Sequence, residues 1–95
     1  MIDVSRALRR SRVRTEIMMY LYKIYPRASY PAEISRNTGI DPTNVLGGLR
    51  GMGNRFDETN SLLQIGLVDK IERDNIMYYR LSEPGKKLLE EMELV

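Results

Sequence analysis

The apolar positions between Arg12 and Tyr25 recur with the spacing of a helix. These positions are Val13, Ile17, Met18, Tyr20, Leu21 and Ile24. Within this set Val13, Ile17, Tyr20 and Ile24 are spaced by four, three and four residues, which places their side chains on one face of an α-helix, whereas a strand would require alternation. Pro26 stops the pattern, because the residue before a proline avoids the helical region. The pattern therefore predicts a helix from Arg12 to Tyr25.

Two further helices joined by a tight turn are predicted next. The first, Pro31–Thr38, begins with a proline, whose missing N–H costs nothing in the first turn. Gly39 ends this helix, since glycine accepts a left-handed cap conformation at low cost. Asp41 can then cap the free amides of a third helix that begins at Pro42. Helices joined by so short a glycine-containing turn are typical of a helix-turn-helix unit.

The third helix is unusually rich in glycine, and each interior glycine costs roughly 0.5–1 kcal/mol relative to alanine. Its glycines are Gly47, Gly48, Gly51 and Gly53. We expect a loop or bend over Asn54–Asn60, where polar residues prevail. The apolar residues that follow predict a further helical stretch over Glu58–Ile65, ending at Gly66.

A β-hairpin and a last helix complete the pattern. The strands Leu67–Arg73 and Ile76–Leu81 flank Asp74-Asn75, two residues that tolerate the positive φ required by hairpin turns. The segment Ala28-Ser29-Tyr30 could pair as a brief third strand. Ser82 then caps a final helix with an apolar stripe of Leu88, Leu89 and Met92.

The order of these elements predicts the fold class. Three helices, a hairpin and a last helix indicate an α+β fold, mainly α with a small β-hairpin, arranged as a winged helix-turn-helix. The 95 residues fit one domain, residues 1–95. Residues 1–11 are expected to form a short helix, the beginning of the next one, or an N-terminal arm.

Composition argues against an enzyme and against a metal site. The chain contains no cysteine and no histidine, which removes disulfides, zinc-finger ligation, thiol catalysis and a histidine general base. The remaining Ser, Thr, Tyr, Lys and carboxylate side chains form no motif typical of catalysis. We therefore expect neither an enzymatic activity nor a cofactor. The glycine cluster is not a phosphate-binding loop, because no Gly-Lys-Ser/Thr follows it and no strand precedes it.

Charge is distributed unevenly along the chain. Residues 1–55 hold ten basic and four acidic residues, a net charge of +6, and residues 56–95 hold five basic and nine acidic residues, a net charge of −4. This asymmetry indicates that the first half meets a polyanion, unless it is only an unevenly charged solvated surface. No apolar run approaches the ~20 residues of a membrane-spanning helix, and no signal peptide is evident. We therefore expect a cytoplasmic protein.

Several segments resemble known proteins. Ile65-Gly66-Leu67-Val68 and Tyr78-Tyr79-Arg80-Leu81-Ser82 look like the wing and following helix of prokaryotic winged-helix regulators. Tyr30-Pro31-Ala32-Glu33-Ile34 and Ile40-Asp41-Pro42-Thr43-Asn44-Val45-Leu46-Gly47 are similar to a family of short archaeal winged helix-turn-helix proteins presumed to regulate transcription. The resemblance covers roughly residues 10–90 and implies sequence-specific binding to double-stranded DNA, with the third helix in the major groove and the hairpin on the backbone.

A helical wheel of Pro42–Arg55 separates an apolar arc from a polar one. The polar arc contains Thr43, Asn44, Gly47, Gly48, Arg50, Gly51, Asn54 and Arg55, and none of these is acidic. Asparagine can pair with adenine and arginine with guanine, a threonine methyl can touch thymine, and glycine permits close approach. We expect base contacts from Thr43, Asn44, Gly47 and Arg50. The simpler interpretation is a small polar surface helix with a bend at its glycines.

Other basic residues are candidates for phosphate contacts, which position a protein on DNA without reading sequence. These are Arg10, Arg12, Arg14, Arg55, Lys70 and Arg73. Each of them could equally be a solubilising surface charge.

Two questions of partnership stay open at this stage. We expect a homodimer, since two-fold operators match two-fold proteins, with Ile2–Leu8 and Leu88–Val95 as the candidate interface. The main alternative to DNA binding is a winged helix that contacts other proteins in a larger assembly, because a fold does not determine function. RNA binding is less favoured, because the strands carry no row of aromatic side chains for stacking on bases.

Overall fold

The fold combines α-helices with one antiparallel hairpin, in a computed structural model that describes residues 8, 11–51 and 61–95. In those residues the elements follow the order helix, helix, helix, hairpin, helix. They are α1 (Arg12–Ile24), α2 (Pro31–Thr38), α3 (Pro42–Arg50), β1 (Val68–Arg73), β2 (Ile76–Leu81) and α4 (Glu83–Glu91). The α+β class predicted from the sequence is confirmed.

Helix α1 begins and ends within one residue of the predicted positions. Ser11 caps the helix, because its side chain accepts a hydrogen bond from the backbone amide of Arg14 at 3.1 Å. The buried side chains Ile17, Met18 and Leu21 lie on one face. The helix ends at Ile24, so that the residue before Pro26 is already extended.

The turn between α2 and α3 has the geometry that its residues predict. Gly39 has φ +78°, and its amide donates to the Ser35 carbonyl, which closes α2. Two residues later the Asp41 carboxylate accepts from the Thr43 amide at 2.8 Å and caps α3. Only residues 39–41 separate the helices, so α3 is held in a defined direction relative to α2.

The C-terminal end of α3 differs from the prediction. The helix ends at Arg50, and Gly51 has φ +85°, so the wheel drawn to Arg55 extended too far. The carbonyls of Gly48 and Leu49, which a helix end leaves without partners, accept from the amides of Leu62 and Leu63 at 2.8 Å each. The end of α3 is therefore tied to the segment that leads into the hairpin.

The helical stretch predicted over Glu58–Ile65 is wrong for its described part. Residues 61–66 form turns, and residues 52–60, with the loop expected at Asn54–Asn60, lie outside the described residues. One helix-type bond, from the Ile65 amide to the Ser61 carbonyl, is followed at once by closure at Gly66, which has φ +78°. The Leu67 amide donates back to the Leu62 carbonyl at 2.9 Å, so the chain leaves the helical path after a single turn.

The hairpin follows the predicted turn. Asp74 and Asn75 have φ of +53° and +65°, the conformation of a two-residue type I′ turn. β1 begins at Val68, one residue later than expected. Ser29 and Tyr79 exchange backbone hydrogen bonds of 2.8 and 2.7 Å, so the predicted brief third strand is present as a single bridge.

The register gives the hairpin two different faces. Strand side chains alternate between faces, and Val68 lies opposite Leu81, as Lys70 does opposite Tyr79. The inner hairpin face consists of Val68, Lys70, Glu72, Met77, Tyr79 and Leu81. The outer hairpin face consists of Asp69, Ile71, Arg73, Ile76, Tyr78 and Arg80. Buried Val68, Tyr79 and Leu81 show that the inner face packs on the helices.

Helix α4 is joined to the start of the hairpin by its cap. The Ser82 hydroxyl donates to the Gly66 carbonyl at 2.7 Å and accepts from the Gly85 amide at 3.0 Å. The Ser82 amide donates to the Leu67 carbonyl at 3.0 Å. These bonds fix the N-terminus of α4 against the chain that enters β1.

The buried apolar core draws side chains from all of these elements and from the segment before α1. Its members are Leu8, Ile17, Met18, Leu21, Ile34, Ile40, Val45, Leu49, Leu62, Leu67, Val68, Tyr79, Leu81 and Leu89. Leu8 and Leu89 are fully buried, which removes them from the dimer interface expected at the two ends of the chain. None of the helices in the described ranges is long and apolar enough to span a bilayer.

Candidate nucleic-acid interface

Three of the four α3 residues that we expect to contact bases are exposed. Thr43, Asn44 and Arg50 are exposed, and Gly47 between them is half-buried. No acidic residue lies within α3, and the carboxylate of Asp41 before it is engaged with the Thr43 amide. The α3 surface, meaning these four residues, is thus polar, lacks negative charge and is exposed except at the half-buried Gly47.

Gly48 does not belong to this surface, contrary to the helical wheel. It is buried where α1 crosses α3, and an added Cβ would lie 2.9 Å from Ile17 Cδ1 and 3.3 Å from Val13 Cγ1. Glycine lets the two helices approach closely here, because a Cβ would force the end of the Ile17 side chain to move. The same crossing brings the stem of Arg14 beside α3, 3.7 Å from that Cβ position.

Arg14 and Arg12 lie in different environments, although both were expected to contact phosphate. The Nε atom of Arg14 is buried and has no hydrogen-bond partner among the described residues. The side chain of Arg12 is 90% exposed and lies 3.7 Å from the carboxylate of Glu16, one helical turn later. An exposed pair of this kind contributes little stability, so Arg12 stays available for another anion.

Arg50 and Lys70 approach the same buried tyrosine from two elements. Burial raises the pKa of Tyr79, and the positive charge of Arg50 opposes that increase. Lys70 lies directly opposite Tyr79 on the inner hairpin face. Arg50 and Lys70, which more than fifteen residues separate in the sequence, therefore both neighbour the buried Tyr79.

Arg73 does not join this group. It lies on the outer hairpin face, opposite Ile76 and next to the turn, whereas Lys70 lies on the inner face. The two hairpin residues expected to contact phosphate thus point to opposite sides of the sheet. The outer face instead places Arg73 with Arg80, and both line a groove with Arg27.

Sequence reasoning did not single out Arg27 or Arg80. Alternation along β2 was a usable signal, since it places Arg80 on the same face as Tyr78 and Ile76. Arg27 could not have been found in this way, because it comes to the hairpin only through the pairing of Ser29 with Tyr79. Arg10 and Arg55, the remaining expected phosphate contacts, lie outside the described residues.

Comparison with known proteins assigns the chain to a family. A family model described as EarA-like matches residues 4–92, which is nearly the whole chain. The chain belongs to the EarA-like family. It is also similar to the uncharacterized protein MJ0905 of Methanocaldococcus jannaschii, with 44% identity over 87 residues that cover 92% of this chain and 78% of the relative. This EarA-like chain therefore has an archaeal relative that matches it over most of its length.

Proposed function

We propose that this protein is a winged helix-turn-helix regulator of transcription that binds double-stranded DNA in a sequence-specific manner. The observation that carries the proposal is the α3 surface, a polar helix face without acidic residues, with Arg14 on the helix that crosses α3 and Lys70 on the hairpin that packs against the helices. An α-helix of this kind fits the major groove, where base edges are read.

The arrangement of elements around α3 supports this assignment. Helices α2 and α3 are joined by the turn at residues 39–41, and a hairpin with a two-residue turn follows. The bridge between Ser29 and Tyr79 attaches that hairpin to the segment before α2. In this proposal α3 is the recognition helix and the hairpin is the wing.

Each residue of the α3 surface has a specific role in the proposal. Asn44 pairs with adenine and Arg50 with guanine, and the Thr43 methyl contacts a thymine methyl. Gly47 lets the helix backbone approach the bases, because it carries no side chain. These contacts give sequence preference, which phosphate contacts cannot do.

Basic residues around α3 position the protein on the backbone in the same proposal. Arg12 and Arg14 contact DNA phosphates from α1, and Lys70 and Arg73 contact DNA phosphates from the hairpin. Arg73 lies beside the turn at the tip of the hairpin, on the outer hairpin face. Arg10 and Arg55 are further candidates from the sequence.

The salt dependence of binding tests the proposal and gives a first prediction. A labelled random duplex, titrated with protein at several salt concentrations and followed by fluorescence anisotropy, is expected to bind more weakly as salt increases. Each phosphate contact contributes about 0.9 to the slope of log K against log salt concentration. Lys70→Ala is expected to reduce the slope by about one and to weaken binding equally on all sequences.

The matched control for Lys70→Ala is Lys87→Ala, which removes an exposed lysine from α4. This control is expected to leave the slope unchanged. Absence of duplex binding at low salt by folded protein would contradict the proposal and favour the alternative, a winged helix that contacts other proteins.

A further inference from the structure

A groove on the outer hairpin face is lined by three arginines from three separate segments. Arg27 comes from the link between α1 and α2, Arg73 from β1 and Arg80 from β2. We call this the arginine groove. It lies on the opposite side of the hairpin from Lys70 and Tyr79, so it is separate from the α3 surface, and Arg73 is the one residue that it shares with the proposed phosphate contacts. We therefore consider which ligand would bind to these arginines.

The floor of the arginine groove is apolar and aromatic. Ile71 and Tyr78 lie opposite each other in the hairpin, and both are half-buried. The ring of Tyr78 is held in place by an edge-to-face contact with Tyr30, with ring centroids 5.8 Å apart and an interplanar angle of 85°. A fixed ring beside an aliphatic side chain offers a surface for a flat or apolar part of a ligand.

The charge of the arginine groove is largely uncompensated. Arg80 lies 3.7 Å from the carboxylate of Asp69, but both side chains are well exposed, at 41% and 51%, so the pair is weak. Within the described residues, Arg27 and Arg73 form no ion pair. Guanidinium groups bind phosphate through paired N–H donors, and converging arginines favour a ligand with more than one negative charge.

The size of the arginine groove limits the ligand. Its volume is about 370 Å³, near the lower end of the roughly 300–1,000 Å³ typical of ligand pockets. We propose that the arginine groove binds a small phosphorylated ligand with a planar ring, in the size class of a nucleotide. The arginines hold its phosphates, and Ile71 and Tyr78 contact its ring. This site goes beyond DNA binding and does not depend on it.

Isothermal titration calorimetry with ATP, AMP, pyrophosphate and adenosine tests the proposal on the full chain. We expect saturable one-to-one binding of ATP, weaker binding of AMP and of pyrophosphate, and no binding of adenosine. The double variant Arg27→Ala/Arg80→Ala is expected to weaken ATP binding by about tenfold for each arginine removed. Lys87→Ala, an exposed lysine on α4, is the matched control and is expected to bind ATP like the native protein.

Circular dichroism establishes whether each variant is folded. If the double variant fails to fold, the single variant Arg27→Ala is used in its place, because it removes an exposed side chain. Absence of saturable ATP binding up to millimolar concentration would overturn the proposal, and so would binding that the arginine variants do not weaken. The same variants are then titrated with duplex DNA. If ATP does not bind and the variants lose duplex affinity, the groove contacts the DNA backbone instead, and the ligand proposal fails while the proposed function stands.

Discussion

Replacing Gly85 by alanine is expected to lower the free energy of unfolding by about 3 kcal/mol, at the upper end of the costs for overpacked sites. A Cβ at this position would overlap the carbonyl oxygen of Leu67, which is backbone and cannot rotate away. That carbonyl also accepts the Ser82 amide at 3.0 Å, and the Ser82 hydroxyl caps α4 at the Gly85 amide. Any shift that relieves the overlap therefore lengthens the bonds that join α4 to the hairpin.

Urea unfolding followed by circular dichroism measures this effect as a lower midpoint with an unchanged slope. Alanine has a higher helix propensity than glycine by about 1 kcal/mol or less in the first turn, where Gly85 lies, and the expected net loss includes that gain. Lys87→Ala, on the same helix but exposed, is the control and is expected to change stability by about 0.5 kcal/mol or less. Equal midpoints for Gly85→Ala and the native protein would show that the contact between α4 and Leu67 is not as close as described.

Replacing Arg50 by alanine is expected to remove most of the preference for one DNA site. A bidentate contact between arginine and guanine discriminates by about 1–3 kcal/mol, which corresponds to roughly 5- to 150-fold in the ratio of dissociation constants. Arg50 is exposed at the end of α3 and contributes no side chain to the buried core. Its loss therefore changes recognition without a large change in stability.

The measurement compares two duplexes at one salt concentration, a site selected by the native protein from a random library and a scrambled sequence. The matched control is Arg12→Ala, which removes an arginine with a 90% exposed side chain from α1. In the proposal Arg12 contacts phosphate, so its loss weakens binding to both duplexes by the same factor. If Arg50→Ala behaves like Arg12→Ala, Arg50 does not read a base.

Elements whose signals are local were predictable from the sequence. The ends of α2 follow from Pro31 and Gly39, and the start of α3 follows from Asp41 and Pro42. The turn at Asp74 and Asn75 likewise depends on residues that accept positive φ. In each case the backbone conformation is set by the residue itself or by a neighbour within three positions, so no tertiary contact had to be known.

Features that depend on tertiary contacts were not predictable. Gly48 looked like part of the polar face of α3, yet it is buried because α1 crosses there. The segment after residue 60 has enough apolar residues for a helix, but the amides of Leu62 and Leu63 donate to the end of α3 instead. The periodicity of one segment does not show which other segment will pack against it, so neither contact could be read from the sequence.

In the candidate site, too, some features were predictable from local sequence and others depended on tertiary contacts. Exposure of Thr43, Asn44 and Arg50 follows from the helical period, which the sequence displays. Lys70 and Arg73 are three residues apart, so alternation in a strand already places them on opposite faces. The effect of Arg50 on Tyr79, the strand partner of Lys70, in contrast depends on the packing of the hairpin against the helices.

An NMR titration of backbone amides with a duplex that contains the selected site tests most directly whether α3 is the surface that meets DNA. The largest chemical-shift changes are expected at Thr43, Asn44, Gly47 and Arg50, with smaller changes at Arg14 and Lys70. Changes confined to α4 or to the outer hairpin face, with the α3 amides unaffected at saturation, would contradict this expectation.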